Sequence, residues 1–225
     1  MNTTHSIEQR QILVRKATSA LVRCGLLTAY GHCSSRIDED SFLVSAPKAP
    51  STIVPGDKGM LVDIDGALPE GALGEVRAHQ QIYKRRPEIG GIVRFISPRL
   101  LSLSTLQLTP KVRHGFGAYF APHAVLWDDP ALIRTDQKAT RLAEAMGSSP
   151  AIVMRGNGAI TGGETLEQAV ALAWFLEDAA RVELDVLSSG QEGVIYSSEQ
   201  AQARAVWDGG VVERLWNHLT FGDPE

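Results

Sequence analysis

Five short apolar runs set the limits on what this chain can become. Phe42–Ser45, Met60–Ile64, Gly91–Ile96, Ala124–Trp127 and Ala151–Met154 have strand length and are too short for core helices. The stretches around them carry helical spacing instead. Ser6-Ile7-Glu8-Gln9 reads as a capping box, after which Ile12, Leu13, Ala17, Ala20, Leu21 and Cys24 recur at helical intervals up to Gly25, a C-cap residue. A second helix is predicted over Glu75–Arg85, stopped by Pro87. A third covers Thr135–Met146 and closes at Gly147. A further capping box, Thr165-Leu166-Glu167-Gln168, opens a helix running toward Leu187, which Ser188-Ser189-Gly190 breaks. Asp65-Gly66 is a hairpin-type turn signal. The last segment, with Trp207 and Trp216, is expected to be a helix packed on the body or on a neighbour. Strands and helices alternate without the strict βαβ repeat, and no Gly-x-Gly-x-x-Gly or Walker loop is present. The pattern argues for an α/β fold in one domain, a mixed sheet flanked by helices.

Bulk properties exclude several classes. A length of 225 residues suits one domain. A net charge of −4 offers no basic field for nucleic acid. No apolar run approaches the roughly 18 residues that cross a bilayer, so no membrane partner is expected. The segment Met1–Arg10 lacks the apolar core of a secretion signal. Cys24 and Cys33 make no disulfide framework, and a reduced, cytoplasmic setting is the expectation.

Three patches carry chemistry. They are Tyr30-Gly31-His32-Cys33-Ser34-Ser35-Arg36, then Glu75-Val76-Arg77-Ala78-His79 running on to Tyr83 and Arg86-Pro87, then Met154-Arg155-Gly156-Asn157-Gly158-Ala159. Glu75 and His79 lie one helical turn apart on one face. A partly buried carboxylate exchanges protons near neutrality; a surface one is merely solvated. His79 reads equally as a buried structural histidine. Arg94 sits inside the run Ile92–Ile96, where alternation puts it on one sheet face and Phe95 on the other. A guanidinium there is costly unless an anion pairs with it. Cys33 carries no nucleophile signature.

Together the patches resemble the class II aldolase/adducin family, over roughly residues 8–188 and closest to its decarboxylase-like branch. The resemblance implies a central, largely antiparallel sheet covered by helices on both faces. It also implies metal ligands: a His-x-His pair after the Arg-Pro segment and a third His before the late glycine. Those places hold Arg94, Ile96 and Asn157 here. Among His32, His79, His114 and His123 there is no His-x-His or His-Glu-x-x-His pair, so no metal and no cofactor are expected. By the same resemblance Glu75 is the proton shuttle, and His79, one turn on, is expected to act with it. Arg94 and Asn157 would either hold a developing oxyanion or, for Arg94, form a structural ion pair with a carboxylate such as Glu75. Phosphosugar aldolases of the family read Gly-Asn, Ser-Gly and paired serines where this chain has Gly31-His32, Ser45-Ala46 and Leu73-Gly74, so a phosphorylated substrate is not expected. His32, Ser34, Ser45, Lys48, His114 and Arg155 are instead expected to hold a small carboxylate. The Asp128–Arg134 stretch also resembles the decarboxylase-like branch. Relatives form rings, usually tetramers, so a homotetramer is expected. The family-like domain would span residues 1–190, with 191–225 an extension packed on it or on a neighbouring subunit.

The expectation is a metal-independent carbon–carbon lyase, decarboxylase- or aldolase-like, acting through an enolate. Two other readings stay open: a non-catalytic partner subunit, since the family includes adducin, or a metal-free hydratase, isomerase or cyclase. An open cleft where Glu75, His79, Arg94 and Asn157 converge favours catalysis. A cleft filled by Phe95 and Ile96 favours a scaffold.

Overall fold

In the computed structural model, which describes residues 3–225 and side chains from Ile7 onward, one seven-stranded sheet organises the chain. Its strands are β1 (His32–Arg36), β2 (Ser41–Val44), β3 (Met60–Asp63), β4 (Gly91–Phe95), β5 (Val125–Trp127), β6 (Ala151–Met154) and β7 (Ala159–Gly163). They lie in the order β3-β2-β1-β4-β7-β6-β5. Every neighbouring pair is antiparallel except β5 and β6, which run parallel. The helices are α1 (Thr3–Arg23), α2 (Arg77–Arg85), α3 (Pro98–Thr105), α4 (Asp136–Met146), α5 (Leu166–Ser189), α6 (Ser198–Arg204) and α7 (Val211–Thr220). This is the mixed, largely antiparallel α/β architecture expected.

Strand alternation divides the core in two. Cys33, Leu43, Val93, Phe95, Val153 and Ala159 join the cluster built with α1 and α5. Phe42, Val44, Ile92, Ile152 and Ile160 join the other, with Ile82 and Tyr83 of α2 and Leu142 and Met146 of α4. Each fully buried Val, Leu, Ile, Phe or Met side chain among them stabilises the fold by about 1.5–3 kcal/mol. Arg94 alternates with Val93 and Phe95, so it shares the face of Ile92, toward α2. Strand β4 is buried throughout its length at the centre of the sheet, which makes it a rigid mount for that one charged residue.

Several local expectations hold. Thr165 caps α5, its hydroxyl accepting from the Gln168 amide at 3.1 Å, while the Gln168 side chain accepts from the Glu164 amide at 2.5 Å. Thr135 caps α4 in the same manner. Gly190 closes α5 in the left-handed region.

Others are corrected. The chain is already helical at Thr3, so α1 does not begin at Ser6, whose side chain lies outside what the structure describes. Asp65-Gly66 does not join two paired strands, since β3 is an edge strand. The Gln80 amide instead donates to the carbonyls of Asp63 (2.7 Å) and Gly66 (3.0 Å), fastening the segment to α2. The patch after Gly31 is strand β1 from His32 onward, paired with β2 and β4. The C-terminal segment forms α6 and α7, and Leu219 of α7 is buried in the core cluster shared with α1 and α5. No helix among the described residues is long and apolar enough to cross a membrane.

Candidate active site

Two glycines fix the backbone around Arg94. Gly31, at φ +104°, precedes β1, and a Cβ there would lie 2.7 Å from the Arg94 carbonyl oxygen. Gly158, at φ +79°, follows Asn157, and a Cβ there would fall 2.0 Å from the Phe95 carbonyl oxygen. Only glycine allows both close approaches. The end of β4 is thus held between the start of β1 and the tight turn joining β6 to β7. Asn157 sits in that turn, its amide donating to the Met154 carbonyl at 2.9 Å.

The pinch places three side chains together. Arg94 Nη2 donates to Asn157 Oδ1 at 2.8 Å and lies 3.3 Å from Glu75 Oε2. The Arg94 side chain is only 4% exposed and that of Glu75 19%. Burial pulls the guanidinium's pKa below its ordinary value, and the Glu75 charge opposes that pull. Both contacts use Nη2. A guanidinium has five N–H donors, so Nε and Nη1 remain for a ligand. Glu75 itself comes from a one-turn 3-10 segment, Gly74–Val76, that leads into α2.

All three line a cavity of about 540 Å³ together with His32, Lys48 and Arg134. Ile96, Leu73 and Leu132 supply apolar wall. Phe95 is not part of it; that ring is buried on the opposite sheet face. The cleft is therefore open and mixed in polarity rather than filled by Phe95 and Ile96.

Behind His32 lies a buried imidazole pair. The rings of His32 and His79 are 4.6 Å apart between centroids. His79 Nδ1 is 2.7 Å from Ser34 Oγ, which is 2.9 Å from the Tyr83 hydroxyl. Neither nitrogen of His32 has a hydrogen-bond partner, and His79 Nε2 has none. Burial, with Arg94 adding repulsion, pushes His79 down to about 3. Burial, then the positive fields of His79 and Arg94, holds His32 well below its ordinary value. Both rings are neutral at physiological pH.

The other sequence candidates are placed as follows. His79 does not line the cavity; it supports His32 from the second row. Ser34 and Ser45 are buried within or beside β1 and β2 and also lie off the lining. Lys48 lines the cavity, but its ammonium is paired with Asp57 Oδ2 at 2.5 Å. His114 sits against α5, its Nε2 3.8 Å from Asp178 Oδ2, and Arg155 pairs with Asp128; neither lines the cavity. Cys33 is buried, its thiol pushed up to about 12 by desolvation, so it is inert. Arg134 and Leu132 were not singled out by type or spacing. Their only sequence signal was membership of the Asp128–Arg134 stretch.

The side chains at the positions where the resemblance implies metal ligands do not suit an ion. Among the described residues no three His, Cys, Asp or Glu side chains are grouped to hold an ion. The position where a ligand imidazole is expected holds a guanidinium, a fixed cation that repels another. Ile96 offers no donor, and the Asn157 oxygen is already engaged by Arg94.

The structure superposes on an L-fuculose 1-phosphate aldolase from Glaciozyma antarctica with a TM-score of 0.82, at 20% identity, covering 97% of this chain and 91% of that one. At that identity the likeness speaks for the fold. Residues 13–184 match the model of the class II aldolase and adducin N-terminal domain. Similar sequences include the 3,4-dihydroxyphthalate decarboxylase of Rhodococcus jostii, 29% identical over 84% of this chain and 85% of the relative. The Arthrobacter keyseri protein of the same name is 30% identical over 71% of each. An L-fuculose phosphate aldolase from Haemophilus influenzae is 28% identical over 73% of this chain and 77% of its own length. The chain belongs to the class II aldolase and adducin family, on its decarboxylase-like side.

Proposed function

We propose that this protein is a carbon–carbon lyase that decarboxylates a small, non-phosphorylated aromatic acid bearing a ring hydroxyl, without a divalent metal. The observation that carries the reading is the Glu75–Arg94–Asn157 constellation opening on one cavity. Glu75, as carboxylate, takes the proton of the substrate hydroxyl. The free Nε and Nη1 donors of Arg94 hold the oxyanion so formed, in a site already organised for it. Asn157 and Glu75 fix the guanidinium's orientation. Glu75 then hands its proton to the ring carbon bearing the leaving carboxylate. The bond from that carbon to the carboxylate breaks, CO2 departs, and the electron pair returns to the ring. The product oxyanion takes one proton from water. Neutral His32 forms part of the cavity wall, with both ring nitrogens buried and without a hydrogen-bond partner.

The names of the decarboxylase relatives make 3,4-dihydroxyphthalate the first compound to try. A phosphorylated sugar suits the site poorly, because Leu73 and Gly74 line the cavity without hydroxyl donors. The test is incubation of the purified protein with 3,4-dihydroxyphthalate, following CO2 and the monocarboxylate product. The reading expects stoichiometric release that Glu75→Gln abolishes. Absence of carbon–carbon cleavage across a panel of hydroxylated aromatic acids overturns it.

A further inference from the structure

The cavity holds three cationic side chains in unequal circumstances. Arg94 is engaged by Glu75 and Asn157, and Lys48 by Asp57. Arg134 is different: its guanidinium pairs with no carboxylate among the described residues, although it lines the same cavity. Its placement is built rather than incidental. The Arg134 amide donates to the Leu132 carbonyl at 3.1 Å, turning the chain just before Thr135 caps α4. Its stem lies along Gly74, where a Cβ would meet Arg134 Cγ at 3.4 Å and Cβ at 3.7 Å. The stem thus runs in van der Waals reach of the residue next to Glu75, across the cavity rim. Leu132 and Leu73, 45% and 42% exposed, flank it. An unpaired guanidinium between two exposed leucines suits a flat ring carrying a carboxylate.

We propose that Arg134 anchors the carboxylate that the substrate keeps, leaving Arg94 to face the oxygen on which charge develops. The substrate class is then an aromatic dicarboxylate: one carboxylate leaves as CO2 and the other stays on Arg134. The inference rests on the lyase reading above and narrows its substrate. Lys48, tied to Asp57, is not the anchor.

The test is titration calorimetry of phthalate into the intact protein and into Arg134→Met, Arg134→Lys and Glu75→Gln, with steady-state decarboxylation run beside it. Arg134 is exposed, so its variants should fold, and a thermal melt verifies that. Losing a charge-assisted pair weakens binding by ~10-fold or more. Phthalate should bind Arg134→Met at least that much more weakly, Arg134→Lys in between, and Glu75→Gln no more weakly than the parent. In turnover, KM should rise by a similar factor with kcat nearly unchanged. Equal phthalate affinity in Arg134→Met and the parent overturns the proposal, as does a parent that binds no phthalate. Arg134-dependent phthalate binding without CO2 release from any acid of the hydroxylated aromatic panel upholds the anchor and overturns the lyase reading alone.

Discussion

Arg94 donates to Asn157 across 2.8 Å, tying the end of β4 to the turn between β6 and β7. With Glu75 at 3.3 Å on the same nitrogen, the guanidinium has little freedom to turn. Preorganised donors of this kind are worth about 10²–10³ in kcat when removed. Arg94→Lys should therefore lower kcat by roughly that factor, because an ammonium lacks the planar fork that meets both partners and a ligand. Steady-state kinetics with a confirmed substrate read this directly. Retention of more than half the parent kcat would show that Arg94 is only a structural ion pair.

Asn157 should act through Arg94 and not on its own account. Asn157→Ala removes one hydrogen bond from a largely buried guanidinium, costing about 1–3 kcal/mol where the group is left unsatisfied. Stability by urea titration should fall within that range, and kcat should drop less than in Arg94→Lys. A double mutant no worse than Arg94→Lys alone would place both residues in one unit.

Gly158 offers a test of the framing. At φ +79°, with the Phe95 carbonyl 2.0 Å from any added Cβ, alanine is both conformationally strained and in collision with backbone. Gly158→Ala should lose more than about 1 kcal/mol of stability. Gly156→Ala has the strained φ of +67° but nothing within 4 Å, so it should lose less. Equal losses would mean that the approach to Phe95 is not what demands glycine at residue 158.

The imidazole pair predicts a pH dependence of stability. His79 titrates near 3 in the folded protein and near 6.5 when unfolded. Above 6.5 both states are neutral and the ring contributes no slope. Below it, the unfolded chain gains a proton that the folded chain refuses. Stability is thus lost as pH falls from 6.5 toward 3, approaching about 1.4 kcal/mol per pH unit for each such ring. His32, shifted in the same direction, adds to the loss. Urea titrations between pH 7 and pH 4.5 should show a shallower slope in His79→Gln than in the parent. Parallel slopes would mean that the ring takes up its proton while folded.

Much of this architecture was legible in the sequence where burial leaves a continuous apolar run. Strands β4 and β6 are covered on both faces, so Gly91–Phe95 and Ala151–Met154 read as strands without help. Strand β1 did not, because His32, Ser34 and Ser35 look like a polar loop. They are buried nonetheless, with Ser34 satisfied by His79 and Tyr83 and Ser35 accepting from Arg10. The two glycines ending β7 gave no strand signal either. In the site, Glu75, Arg94 and Asn157 were legible because the motif positions fix them to the backbone. The remaining cavity-lining residues were less so. Whether a lysine, arginine or histidine points into a cavity depends on which carboxylate claims it, and spacing does not encode that. Asp57 claims Lys48, Asp128 claims Arg155, and Asp178 lies beside His114. Arg134, left unclaimed, became visible only once the chain was folded.

In the proposed mechanism a fixed guanidinium serves where relatives of this fold are expected to use an ion. Its most direct test is the rate of CO2 release from 3,4-dihydroxyphthalate by protein stripped with a strong chelator, before and after adding zinc, manganese or iron(II), with bound metal measured in each sample. The account predicts the same kcat in all samples, with metal content far below one per chain in the stripped protein. Activity that vanishes on stripping and returns in proportion to one bound ion would contradict it.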